Sequence, residues 1–239
     1  MARVAVIVGL ILVAVVLLIA TGRSDGRDGN LIEIYHLNLE DIELTMADYV
    51  NPPAALVDQY PAVVAEVNGD PVAGRELVTR QILLELNRRD AIGSSIEAFR
   101  EQQLAAIDAT DPLESIVDEK LKAQAVERLG LLPSHEEAVA YTEEQEASVA
   151  ALPPVQREAS LQILRLRGLP TENWASNAQI VEGYRQGMGL AKLLHGVCPT
   201  YAAPQTPAPG LMFMSVGCTE FLDVERAHAD IVYYVKWAD

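Results

Sequence analysis

Apolar and polar positions alternate in several distinct ways along this chain, and each pattern predicts a different element. Val4 to Ala20 is an unbroken run of seventeen residues without a polar side chain. At 1.5 Å per helical residue it spans roughly 25 Å, and flanking residues extend it towards the ~30 Å core of a bilayer. The run predicts a transmembrane signal anchor over residues 1–23. A cleaved signal peptide is the competing reading, but Leu18-Ile19-Ala20 lacks the paired small residues of a cleavage site.

Residues 24–61 read as a linker and arm. Ser24 to Asn30 is polar, and Ile32, Ile34, Leu37, Leu39, Ile42 and Leu44 are scattered among acids before Pro52-Pro53. Either a strand pair or an extended arm fits that spacing. From residue 62 the signals sharpen. Ala62 to Val67 is rich in β-branched residues and meets Asn68-Gly69, a strong hairpin signal. A helix of about fifteen residues is expected from near Gly74, with Val78, Ile82 and Leu86 on one face, and a second helical run after Gly93-Ser94-Ser95.

Asp111-Pro112 opens the best-marked helix, with Glu114 placed to complete a capping box. Its expected buried stripe is Leu113, Ile116, Val117, Leu121, Ala125 and Leu129, and Gly130 supplies a left-handed stop. Ser134 and Glu137 repeat the capping box for an acidic helix that Pro153-Pro154 ends. Two further helices are expected, over about 155–167 and 171–195. Residues 196–219 hold no charge and four prolines, which predicts a long loop. Ala229 to Trp237 reads as a closing strand, and pairing of residues 230–236 with 62–67 would join the ends of a helical domain.

The balance of 18 Lys and Arg against 34 Asp and Glu gives a net charge of −16, with every acid beyond residue 24. A body this acidic repels phosphate backbones, which argues against nucleic-acid partners. Cys198 and Cys218 enclose the Pro- and Gly-rich loop. In an oxidising compartment they would be bridged; two unpaired thiols are the other reading. The bridge and the anchor together favour a bacterial cell-membrane protein with a cytoplasmic N-terminus and a periplasmic or extracellular body.

Candidate chemistry is sparse. Gly187-Met188-Gly189 lies within a helical pattern rather than after a strand, so a phosphate loop is not expected. Glu143, Glu144 and Glu146 read as a solvated helix face before they read as metal ligands. His36, His135, His195 and His228 are scattered, and no catalytic set, metal site or cofactor is expected. The apolar stretch Leu211, Met212, Phe213 and Met214 is the candidate contact for a polypeptide or fixed partner, since Met and Phe adapt to varied surfaces. Packing on its own domain as a strand is the alternative.

The run Val63-Val64-Ala65-Glu66-Val67-Asn68-Gly69-Asp70-Pro71-Val72 resembles the opening "VNG-acid-Pro-apolar" hairpin of SurA-type and PrsA-type chaperone modules. Leu113 to Glu137 is similar to that module's "L-x-x-L-I-(D/E)-E-K-L" helix and the capped acidic helix after it. Leu161 to Leu194, with Arg167-Gly168-Leu169-Pro170 at the turn, is similar to the next helix pair. The closing Ala229-Asp230-Ile231 fits as well, so the resemblance covers residues 62–237.

That resemblance implies a mainly α fold over residues 62–239, a SurA N-terminal-like helical domain behind the anchor. A small antiparallel sheet would join its N-terminal hairpin to its C-terminal strand. Implied too is a non-catalytic, extracytoplasmic chaperone-like role, holding unfolded or assembling polypeptides, with a layout similar to PpiD-type anchored chaperones. No parvulin-sized isomerase insert fits between Leu194 and Ile231. The arm at 31–60 and the loop at 196–219 depart from the module, and favour the alternative of a structural or assembly subunit gripping one fixed partner.

Overall fold

The computed structural model describes residues 31–93, 97–200 and 218–238. The expected anchor at 4–20, the linker at 24–30 and the candidate contact Leu211–Met214 lie outside them. Among the described residues no helix is long and apolar enough to cross a membrane.

The arm opens with a short strand, β1 (Ile32–Ile34), and contains two short helices, α1 (Met46–Val50) and α2 (Ala54–Val57). The hairpin follows as β2 (Val63–Val67) and β3 (Asp70–Ala73). Asn68 and Gly69 both adopt positive φ, 52° and 85°, as a two-residue primed turn requires. An irregularity between Val63 and Ala65 shifts the register, and Val64, Ala65 and Val67 are all fully buried.

The helices are α3 (Gly74–Gly93), α4 (Glu97–Asp108), α5 (Pro112–Arg128), α6 (His135–Ala150), α7 (Pro154–Leu166), α8 (Ala178–Lys192) and α9 (Cys218–His228). α3 runs longer than the expected fifteen residues. Glu85 pairs with Arg88 and Arg89, and Arg88 also reaches Asp108 on α4, so ion pairs extend its last turns beyond the apolar stripe. Gly74 starts α3 where a Cβ would lie 2.3 Å from the carbonyl oxygen of Pro61, so only glycine fits without a shift.

In α5, Asp111 Oδ1 accepts the N–H groups of Leu113 and Glu114 at 2.8 and 3.0 Å. Glu114 does not complete the expected capping box, because its carboxylate is turned towards α9 and β4. Leu129 corrects the expected stripe. It lies one residue beyond the last helical position and is 41% exposed, and Val126 is buried in its place. Gly130 (φ 64°) closes a Schellman turn, with Leu131 N–H on Val126 O and Gly130 N–H on Glu127 O. Ser134 and Glu137 form the reciprocal box, and the Ser134 main-chain N–H holds the Glu137 carboxyl below its usual range.

The expected helix over 171–195 is divided. A 3₁₀ turn at Trp174–Ser176 comes first, Asn177 then caps α8, and a π-turn over Leu193–Val197 leads to a 3₁₀ turn at Cys198–Thr200. Residues 196–200 and 218–219 of the expected loop are therefore helical, and residues 201–217 lie outside the described residues.

The closing strand pairs with the hairpin, over fewer residues than expected. β4 (Ile231–Tyr233) runs antiparallel to β2, matching Ala65 with Tyr233 and Val67 with Ile231, so the sheet order is β3-β2-β4. At Tyr234 the chain leaves that sheet. β5 (Val235–Trp237) then pairs in parallel with β1, Ile32 opposite Val235 and Ile34 opposite Trp237. At the end of the β2–β4 ladder Asn68 adds two bonds: Asn68 N–H donates to Asp230 O, and Asp230 N–H donates to Asn68 Oδ1, both at 2.8 Å.

One core joins the sheet face to α3, α5, α9 and the end of α8. Val64, Leu77, Val78, Ile82, Val117, Leu121, Val126, Leu193, Phe221 and Leu222 are all but fully buried within it. A second, small core gathers Val149, Trp174 and Ile180, with Leu161, Leu164, Leu169 and Tyr184 half-buried around them.

Candidate functional site

Among the described residues, three arrangements stand out for their polar chemistry. The first is a clasp on α5. Asp111, Glu114, Asp118 and Lys122 follow one another at three- and four-residue spacings, so they share a helix face. Onto that face come Arg226 from α9, Tyr233 from β4 and Trp237 from β5. Arg226 Nε and Nη2 both approach Asp118 Oδ1, at 2.7 and 2.5 Å, and its Nη1 donates to Glu114 Oε2 at 2.5 Å. The Tyr233 hydroxyl donates to Glu114 Oε1 at 2.7 Å, and Trp237 Nε1 donates to Asp111 Oδ2 at 2.9 Å.

Asp118 is 1% exposed, and its Oδ2 has no hydrogen-bond partner among the described residues. Burial raises its carboxyl above the usual carboxylate range, outweighing the neighbouring Arg226 and Lys122. Burial likewise lowers the Lys122 ammonium. Burial, with Glu114 beside it, pushes the Tyr233 phenol up, so the hydroxyl stays protonated as a donor. These groups neutralise one another across an internal seam. The bonds they make dock the C-terminal segment onto α5.

The second arrangement holds the arm. From β1 the chain runs along α3, turns at residues 40–42, and returns through α1. Gln81, buried within the Leu77–Val78–Ile82 surface of α3, accepts the Leu37 N–H at 2.8 Å and donates to the Tyr60 hydroxyl at 2.9 Å. That hydroxyl donates in turn to the Tyr35 carbonyl at 2.6 Å. Two turns along α3, Arg89 Nη2 donates to the Leu39 carbonyl at 2.6 Å, while Glu85 holds the guanidinium in place. Ile34, Leu39 and Leu44 are buried beneath the arm, and His36 stacks on Trp237 with ring centroids 3.8 Å apart.

The third is the outlying lobe of α6, α7 and α8. Glu146 accepts the N–H groups of Trp174 and Ala175 at 2.8 and 3.3 Å, so it caps the 3₁₀ turn. That role differs from the solvated face expected for it. α8 meets α5 through Gly189, where a Cβ would lie 2.6 Å from Val126 Cγ1. The glycine expected not to serve a phosphate loop is thus a helix-packing contact. α7 carries an apolar stripe, yet none of its residues is buried: Leu161, Ile163, Leu164 and Leu166 are half-covered, and Val155 is 82% exposed. The arm helix α1 lies against both α3 and α7.

Of the residues singled out from sequence, Cys198 and Cys218 form a disulfide, with Cα atoms 4.7 Å apart. Among the described residues no group of three His, Cys, Asp or Glu side chains is placed to hold a metal ion. Gln81, Arg89, Asp118 and Arg226 went unrecognised in the sequence. The available signal was a polar side chain at a position that helical periodicity assigns to the core, which fits Gln81, Asp118 and Lys122. No family model, curated protein or solved structure matches this chain.

Proposed function

We propose that this chain is a membrane-anchored, extracytoplasmic chaperone-like protein that binds unfolded or assembling polypeptides without catalysing a reaction on them. The observation that carries this reading is α7, an amphipathic helix whose apolar stripe is only half-covered beside the arm helix α1. A surface of that kind buries client apolar side chains reversibly, while the net charge of −16 keeps complexes soluble. The disulfide supports an oxidising compartment, and the apolar run at 4–20 supports the anchor. The likeness of residues 62–237 to SurA-type modules supports the same role.

A second reading is a structural or assembly subunit that holds one fixed partner in a membrane complex. It is favoured by the arm, whose helix α1 packs against both α3 and α7 and so takes up surface that varied clients would need. Affinity purification of the full chain from mild detergent separates the two. Many sub-stoichiometric proteins in the eluate are expected for the chaperone reading. A single stoichiometric partner would replace it with the subunit reading.

A further inference from the structure

The arm is held largely through its main chain. β5 pairs with residues 32–34, the Tyr60 hydroxyl takes the carbonyl of Tyr35, Gln81 takes the N–H of Leu37, and Arg89 takes the carbonyl of Leu39. Side chains add three anchors, Ile34, Leu39 and Leu44, five residues apart and 3%, 5% and 8% exposed. Between them Tyr35, His36, Asn38 and residues 40–43 are exposed. A track that grips main-chain groups and takes an apolar side chain at every fifth position demands little of the sequence in between. Extended peptides added to strand edges are recognised by the same division of labour.

Apart from the pairing of β5 with β1, the track is placed by contacts outside residues 31–44. α3 is fixed in the core by Leu77, Val78 and Ile82, and β5 by Val235. The arm, by contrast, enters through a three-residue parallel pair, and its helix α1 buries no residue. Two strands alone are marginal in water, so residues 31–44 stay in place chiefly through the three anchors and the main-chain bonds, and loosening the anchors opens the segment.

We infer that the track along α3 and β5 is a binding site for extended polypeptide, and that residues 31–44 are its resident occupant. An unfolded chain with apolar residues at that spacing displaces the arm and takes its place. This inference rests on the chaperone reading above and adds to it a site and a competitor. An occupied site weakens the apparent affinity for a client by the fraction of time it stands open, so loosening the arm strengthens client binding.

The test uses the full chain in detergent and two probes: a fluorescent peptide of residues 31–45, and reduced, carboxymethylated lactalbumin as a permanently unfolded protein. Ile34→Ser with Leu39→Ser loosens the arm. The altered chain is expected to bind both probes at least roughly tenfold more tightly than the original. Adding Arg89→Met should reverse most of that gain. Equal affinity in a loosened chain that still melts cooperatively overturns the inference. Hydrogen exchange on the unaltered chain guards against a variant that fails to fold. The Leu37 amide is expected to exchange well before those of Val64 and Ala65, and faster still with the unfolded probe. Exchange of all three at one rate, unmoved by the probe, overturns the inference as well. Binding of the peptide but not of unfolded protein would keep the track and overturn the chaperone reading. Unfolded protein that binds without competition from the peptide would do the reverse.

Discussion

Trp237 Nε1 donates to Asp111 Oδ2 at 2.9 Å, while the other oxygen of the same carboxylate caps the first turn of α5. One side chain thus starts the best-marked helix of the sequence and holds the last described strand, 126 residues away. Removing the carboxylate should act at both places. Asp111→Ala is expected to cost about 1 kcal/mol for the cap and roughly another 1 kcal/mol for the indole bond. Asp111→Asn keeps an acceptor for the cap, so it should cost less. Chemical denaturation of the two variants gives the comparison, and equal losses would contradict the shared role.

Arg226 offers a second test of the same seam. Its guanidinium is the charged partner of both Glu114 and the buried Asp118. Arg226→Met would leave Asp118 beside Lys122 alone, in surroundings where an unpaired charge is expensive. A loss of about 3–5 kcal/mol is expected, as for other buried pairs broken on one side. A loss below about 1 kcal/mol in equilibrium denaturation would show that the seam opens to water.

The pH dependence of stability carries the sign of the Asp118 shift. Burial raises its carboxyl in the folded chain, so between the ordinary carboxylate value and the raised one the folded state holds more protons. That contribution is complete below the ordinary value and is lost as pH rises through the raised value. Relative to Asp118→Asn, the original chain should therefore gain stability as pH falls through that window. Denaturation midpoints of both chains across the acid range provide the measurement, and a relative loss on acidification would refute the assignment.

Local signals in the sequence were legible and non-local ones were not. Asn68-Gly69, Asp111-Pro112, Gly130 and the Ser134/Glu137 box each act within four residues, and each is found where its pattern places it. Pairing of the closing strand with the hairpin was legible because an isolated hairpin needs a third strand. The turn away at Tyr234 was not, since it depends on pairing with β1, a three-residue strand about 200 residues earlier in the chain whose own pattern fitted an arm as well as a strand. Glu114 left its capping box because Arg226, 112 residues away, outbids a local N–H with a full charge. α9 was hidden by its length and by the uncharged stretch before it. The arm was readable only as one of two forms, since what places it are bonds to Gln81 and Arg89 on α3, 44 and 50 residues away.

The disulfide should matter most to the segment it closes. Cys198 and Cys218 are 20 residues apart, and closing a loop of about that length contributes roughly 3 kcal/mol in the chain-entropy model. Cys198 is buried against the main core, and α9 begins at Cys218. Reduction is therefore expected to loosen α9 and the Arg226 seam first. Intact-mass measurement of freshly extracted protein, with and without reductant, tests the bond. Exchange rates of the Phe221 and Leu222 amides test its consequence. Two free thiols in the extracted protein would remove both.

Glycine placement in α8 separates packing from propensity. Gly183, Gly187 and Gly189 lie in one helix, where each glycine costs roughly 0.5–1 kcal/mol against alanine. A Cβ on Gly183 or Gly187 would meet nothing within 4 Å, so alanine at either should stabilise by about that amount. A Cβ on Gly189 would press on Val126 Cγ1 at 2.6 Å and on Leu132 Cδ2 at 3.1 Å. Val126 is 1% exposed and is held between the Schellman turn and the core, so it has little room to yield. Overpacking of this kind costs about 1–3 kcal/mol, more than the helix propensity returns. Gly189→Ala should therefore destabilise while Gly183→Ala and Gly187→Ala stabilise. The three melting transitions, read side by side, decide whether α8 approaches α5 as closely as described, and three shifts of the same sign would show that it does not.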